Sequence, residues 1–127
     1  MPDEERQDSG HKAARGVSIV VVGPCASGKT TLVDALKERG YDARVVAQEH
    51  SIIRDLWKKR DPDVVIALDL DLQKVRERRS PTWSAEIYEV QHERLRDAFA
   101  AADLTIDTGK HDIDAALRMT LDLLEGK

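Results

Sequence analysis

Two patterns of apolar positions alternate along the chain. Val17-Ser18-Ile19-Val20-Val21-Val22, Ala43-Arg44-Val45-Val46-Ala47, Val64-Val65-Ile66-Ala67-Leu68 and Leu104-Thr105-Ile106 are short β-branched runs. They are apolar nearly throughout, as strands covered on both faces require. Between them, apolar residues recur at steps of three and four, the spacing of one helix face. Leu32, Val33 and Leu36 predict a helix over Lys29–Arg39, with Gly40 as its stop. Ile52, Ile53, Leu56 and Trp57 predict a helix over Ser51–Lys59 with Ser51 as its cap.

Asp71 caps a predicted helix through Arg79, which Pro81 ends. Ser84 caps a long one to Ala102, with Tyr88, Leu95, Ala98, Phe99 and Ala102 as its inner stripe. Asp112 starts a last helix carrying Ile113, Leu117, Leu121 and Leu124. Strand and helix in strict alternation predict an α/β fold, a three-layer α/β/α sandwich around a small parallel sheet of about four strands. Ligands bind such sheets beyond the carboxyl ends of the strands. The loops after Val22, Ala47, Leu68 and Ile106 therefore share one rim.

Residues 1–16 are polar and without period, which predicts a disordered tail before a single domain over 17–127. The chain has 127 residues, 20 Lys+Arg and 24 Asp+Glu. That length supports one domain, and the acidic balance argues against nucleic acid as a partner. One cysteine excludes an internal disulfide. The longest apolar run is too short to cross a bilayer, and the first residues lack the apolar core of a secretory signal. A soluble cytoplasmic protein with no membrane partner is the expectation.

Gly23-Pro24-Cys25-Ala26-Ser27-Gly28-Lys29-Thr30 fits G-x-x-x-x-G-K-[ST] at every fixed position, between a predicted strand and a predicted helix. The pattern arises by chance in about one in a few hundred chains of this length, before that context is required. Its spacing has a chemical reason. Gly23 and Gly28 allow close backbone approach, and the loop turns successive N–H groups toward an anion. The helix that follows adds the positive end of its dipole. Lys29 supplies an ammonium for the β- and γ-phosphates, and the Thr30 hydroxyl is placed to ligate Mg²⁺. Gly23, Pro24, Cys25, Ala26, Ser27, Gly28, Lys29, Thr30 and Thr31 are therefore the candidate binding residues for a nucleoside triphosphate, ATP with Mg²⁺. Cys25 is either a redox-sensitive group beside the phosphates or a small side chain at a variable position.

The rest of the rim resembles the P-loop nucleoside and nucleotide kinases: deoxynucleoside and thymidylate kinases, and more loosely adenylate and shikimate kinases. Gly23–Leu32 carries most of the likeness. Gln48-Glu49-His50-Ser51 looks like their Glu-Arg-Ser or Asp-Arg-Tyr element, with His50 in the place of the arginine. Pro62–Asp69 followed by Val75–Arg79 is similar to their Pro-Asp strand and arginine-bearing lid. Ala102–Thr108 is similar to their last strand. Those kinases insert an acceptor-binding segment before the equivalent of Val64. Here only residues 48–63 separate the second and third strand patterns, so the acceptor pocket is expected to be missing or very small.

On this reading Glu49, after the second strand, holds a metal-bound water or serves as general base, unless it is a solvated loop carboxylate. Arg76 and Arg79 are lid clamps for phosphoryl transfer, with Arg78 as a further phosphate contact; a solvated basic helix face is the alternative. Thr108, which the resemblance sets beside the base, binds nucleotide or belongs to a plain turn. Asp69 and Asp71 are a strand end and a cap, or a water-mediated metal pair. The catalytic candidates are thus Lys29, Glu49, Arg76 and Arg79, and the metal candidates Thr30 and Glu49. The expected activity is phosphoryl transfer from ATP to an unspecified small acceptor. A nucleotide-sensing or slowly hydrolysing module stands as the alternative, and a phosphate-binding scaffold without turnover as a third.

Overall fold

A computed structural model describes residues 16–126, so the predicted tail lies almost wholly outside the described residues. Strands β1 (Ser18–Val22), β2 (Asp42–Val45), β3 (Val64–Asp69) and β4 (Leu104–Asp107) form one sheet in the order β2-β1-β3-β4. All three pairings are parallel, with Val20 opposite both Arg44 and Val65, and Ala67 opposite Thr105. Four helices follow in chain order: α1 (Lys29–Glu38), α2 (Leu72–Arg78), α3 (Ala85–Ala101) and α4 (Ile113–Glu125).

The two-residue period of a strand sends the β1 side chains to two different cores. Ile19 and Val21 join Ile66, Leu68 and Ile106 on one face, under Leu32, Val33 and Leu36 of α1 and Ala116 and Leu124 of α4. Val20 and Val22 join Val65 and Ala67 on the other, under Leu95 and Ala98 of α3. Helices thus cover both faces, as a three-layer sandwich requires. Each fully buried Val, Ile or Leu stabilises this arrangement by about 1.5–3 kcal/mol relative to exposure. Among the described residues no helix is long and apolar enough to cross a membrane.

Asp71, Ser84 and Asp112 cap the helices expected to start at them. Asp71 accepts from Lys74 N–H at 2.8 Å, Ser84 from Ile87 N–H at 3.2 Å and Asp112 from Ala115 N–H at 2.8 Å. Gly40 ends α1 with φ +88°, a conformation glycine adopts without strain. On α3 the buried residues are Gln91, Leu95 and Ala98, so a glutamine occupies the stripe where only apolar residues were expected.

The helix expected over Ser51–Lys59 does not form. Two 3₁₀ turns, Gln48–His50 and Leu56–Arg60, flank an irregular stretch. Ser51 Oγ accepts from Ile53 N–H at 3.0 Å, two residues on, and so closes a local turn instead of a helix cap. The buried Gln48 side chain takes over backbone groups a helix would satisfy: its Nε2 donates to Ile53 C=O at 2.7 Å and its Oε1 accepts from Trp57 N–H at 2.9 Å. Leu56 and Trp57 still pack on the sheet, while Ile52 is left 81% exposed.

Candidate functional site

The four strand ends meet where the parallel sheet requires, and the Gly23–Thr30 loop sits at their centre, after β1. Its first glycine is fixed by packing. A Cβ on Gly23 would lie 2.5 Å from Leu68 C=O and 2.6 Å from Ser27 Oγ. Its second glycine is fixed by conformation, since Gly28 has φ +96° with open space around the missing Cβ. Ala26 also adopts φ +70°, so left-handed residues fold the loop back toward β1.

Gly28 begins α1 without a side-chain cap, and the first turn holds no acidic residue. Leu32 N–H donates to Gly28 C=O at 3.1 Å. The N–H groups of Lys29, Thr30 and Thr31 precede that first intrahelical bond, and remain as donors at the positive end of the helix. Thr30 and Thr31 are exposed there. Ser27 Oγ lies buried in the same loop with no hydrogen-bond partner among the described residues.

Lys29 curls back over the loop. Its Nζ donates to Gly23 C=O at 2.9 Å and to Pro24 C=O at 3.0 Å, and pairs with Glu49 Oε2 at 2.9 Å. Glu49 reaches it because β2 lies beside β1 and the 3₁₀ turn after β2 buries the carboxylate. Its second oxygen, Oε1, is buried and unpartnered. Arg94 Nη1 holds the main-chain carbonyl of Glu49 at 3.4 Å.

On the other side of the loop, Arg78 donates from Nη1 to Ala26 C=O at 2.9 Å and from Nη2 to Thr108 C=O at 2.6 Å. Of the three candidate arginines, Arg78 is the one this structure brings to the loop. The predicted clamps, Arg76 and Arg79, turn to the segment after α2: Arg76 Nε donates to Trp83 C=O at 2.9 Å, and the Arg79 guanidinium lies 5.5 Å from the centre of the Trp83 ring. The rotation of the helix decides this, because residues two apart face different directions. Thr108 is buried, and its N–H and hydroxyl both donate to Asp69 C=O.

Asp69 and Asp71 are not a joint metal pair here. Asp71 is the α2 cap, while Asp69 Oδ1 accepts from Leu70 N–H at 2.8 Å and lies 3.2 Å from His92 Nε2. The hydrogen bond to Asp69 pushes His92 above its ordinary value and holds Asp69 below its own. Tyr88, a turn earlier on α3, donates to Leu70 C=O at 2.9 Å. Burial, reinforced by Asp69 and Asp71, pushes its phenol up to about 12.

Two clefts flank the loop. One of about 350 Å³ is lined by Ser27, Gly28, Thr31, Arg78, Thr108 and His111. The other, about 600 Å³, lies between His50, Trp83, Ile87, Val90, Gln91 and Arg94. The sequence predicted a missing or very small acceptor pocket. The short connection indeed adds no strand between β2 and β3, but α3 and the Trp83 turn wall a cleft of their own.

Gln91 and His92 carried no signal beyond being polar residues within a predicted helix, and Gln48 none beyond its place in the Gln48–Ser51 element after the second strand. Gln91 is the most consequential. Buried on α3, it accepts Cys25 N–H at 3.2 Å and donates Nε2 to Cys25 Sγ at 3.3 Å. No family model matches the chain, and no curated protein matches it.

Proposed function

We propose that the chain binds a nucleoside triphosphate with Mg²⁺ along Gly23–Thr31, as a P-loop protein, and transfers the terminal phosphoryl group to a small acceptor. The observation that carries this reading is the position of Lys29. Its ammonium lies over a glycine-hinged loop, at the uncapped start of α1, where a polyphosphate would meet both the charge and the free N–H groups.

Lys29 exchanges Glu49 for a phosphate oxygen, and the N–H groups of Lys29, Thr30 and Thr31 donate to the same anion. Arg78 swings from the Ala26 and Thr108 carbonyls onto the phosphates and closes the 350 Å³ side, where the base lies beside Thr108 and His111. Glu49, released from Lys29, has one of two roles: it accepts the proton of an acceptor hydroxyl presented from the His50–Trp83 cleft, or it holds the metal with Thr30. In the second role Thr30 and Glu49 would hold Mg²⁺, and the buried, unpartnered Glu49 Oε1 suits a cation or the water it carries. When bound, Mg²⁺ supplies neutralisation of the phosphate charge.

Incubation with ATP and Mg²⁺ against a panel of nucleosides and small hydroxyl compounds, followed by ADP, tests this. ADP that depends on an acceptor is the expected result. Slow ADP release without one supports the second reading, a nucleotide-sensing module, which the short β2–β3 connection favours. Failure to bind ATP, GTP or pyrophosphate overturns both.

A further inference from the structure

Cys25 lies in the loop after β1, Glu49 and His50 in the turn after β2, and the donor atoms of these two segments converge. Cys25 Sγ lies 3.7 Å from His50 Nε2, which lies 3.6 Å from Glu49 Oε2, and one donor atom from each residue falls within 4.8 Å of the others. We propose that these three residues form a binding site for a zinc-class divalent cation, with water as its fourth ligand.

Two of the three donor–donor edges match that ion. Bonds of about 2.3 Å to sulfur and about 2.0–2.1 Å to nitrogen and oxygen, at a tetrahedral angle, set donor separations of about 3.6 Å for S···N and about 3.4 Å for N···O. The sulfur–nitrogen and nitrogen–oxygen edges already stand within a few tenths of an ångström of those values. The donor set selects the metal class: thiolate and imidazole beside one carboxylate suit zinc, not the all-oxygen preference of Mg²⁺.

The surroundings also fit. Glu49 is 3% exposed, and its Oε1 lacks any partner. Lys29 already neutralises Oε2, while the buried Oε1 is left without the hydrogen bond that a cation or its water would supply. Gln91 orients the sulfur from behind through its Nε2–H···Sγ bond, the kind of outer support that fixes ligating side chains. Arg94 holds the Glu49 main chain in place. The approach is open, because His50 and Gln91 both line the 600 Å³ cleft, which leaves room for the fourth ligand.

Binding replaces the Cys25 S–H proton by the metal–sulfur bond and releases that proton to solvent. It also sets the cation against Lys29 for the same carboxylate. Lys29 then keeps only the Gly23 and Pro24 carbonyls, and the loop is locked to the turn after β2. Occupation of this site therefore excludes the use of Glu49 proposed above, although the site itself does not depend on that proposal.

The test titrates the full chain, free of nucleotide, with Co²⁺ and then with Zn²⁺ against a chromogenic chelator. One equivalent is expected to bind with an intense thiolate-to-cobalt absorption in the near ultraviolet, and Zn²⁺ should bleach it. Zn²⁺ should also protect Cys25, the lone thiol, from alkylation. Cys25→Ser is expected to abolish the absorption. His50→Gln, at an exposed side chain that can change without repacking, should weaken affinity at least tenfold. His92→Gln, whose ring faces Asp69 and Tyr88 instead, should leave binding unchanged. Absence of the absorption at saturating Co²⁺, or an affinity indifferent to both Cys25→Ser and His50→Gln, overturns the site. Mg²⁺-ATP binding measured on the same preparation separates this outcome from failure of the nucleotide reading.

Discussion

Lys29 Nζ and Glu49 Oε2 form a 2.9 Å ion pair whose side chains are only 11% and 4% exposed. A pair this buried is stable because each charge compensates the other, and removal of one partner strands the second. Lys29→Ala is therefore expected to cost about 3 kcal/mol of folding stability, from the buried carboxylate it leaves behind. Lys29→Ala combined with Glu49→Gln should recover much of that loss. Urea denaturation at neutral pH measures both, and a single-variant loss below about 0.5 kcal/mol would show the pair to be effectively solvated. In the nucleotide reading, Lys29→Ala also lowers triphosphate affinity at least tenfold, measured by calorimetry, and unchanged affinity would exclude the proposed role.

The two loop glycines should fail in different ways. Gly23→Ala drives a methyl group into Leu68 C=O and Ser27 Oγ, so β1 and β3 must separate locally. Its cost is expected to exceed about 2 kcal/mol, in the range of an overpacked core. Gly28→Ala meets no atom within 4 Å and carries only the left-handed backbone penalty, about 1–2 kcal/mol. Thermal unfolding of the two variants orders them, and the reverse order would contradict the packing described.

The arginines of α2 are separable in the same manner. Arg78→Ala should weaken triphosphate binding by about tenfold, the equivalent of one charge-assisted hydrogen bond. Arg76→Ala and Arg79→Ala should leave that affinity within about twofold and instead loosen the Trp83 segment, read from the emission of that indole in a Trp57→Phe background. If Arg76→Ala or Arg79→Ala matches Arg78→Ala in binding, the clamp role expected from the sequence holds for that residue.

The Asp69–His92 contact gives a pH signature. The His92 pKa is raised above its ordinary value of 6.5, so its contribution is complete below that value and is lost as pH rises through the folded-state value. Asp69 is lowered from 3.8, so its contribution is present above 3.8 and is lost as pH falls through the folded-state value. The pair therefore stabilises most between those two limits. Both side chains are partly solvated, which holds the effect to about 0.5 kcal/mol. The stability difference between the wild type and His92→Gln should be larger at pH 5 than at pH 8. A difference that is flat across that range would mean the contact carries no charge.

Much of this fold could be read from local signals. The β-branched runs at Ile19–Val22 and Val64–Leu68 have few alternatives to a doubly covered strand, and Asp71, Ser84 and Asp112 announce the helix starts they cap. The spacing from Gly23 to Thr30 located the loop, and the parallel sheet brought Glu49 to it. What could not be read depends on partners distant in sequence. Gln48 suppresses a helix through contacts to Ile53 and Trp57 that periodicity does not encode. Gln91 and His92 look like solvated helix positions until the fold sets Cys25 and Asp69 against them. The choice of Arg78 over Arg76 and Arg79 rests on the axial rotation of a seven-residue helix, finer than helix boundaries can be predicted.

The order β2-β1-β3-β4 also governs how a nascent chain matures. Parallel neighbours cannot zip through a hairpin, so β1 keeps one flank bare until Val64–Asp69 has been synthesised, and β3 keeps one bare until Leu104–Asp107 follows. Ribosomal intermediates of this protein thus display an apolar ribbon with unsatisfied amides, and products truncated before Asp107 are the ones a chaperone or protease would have to clear.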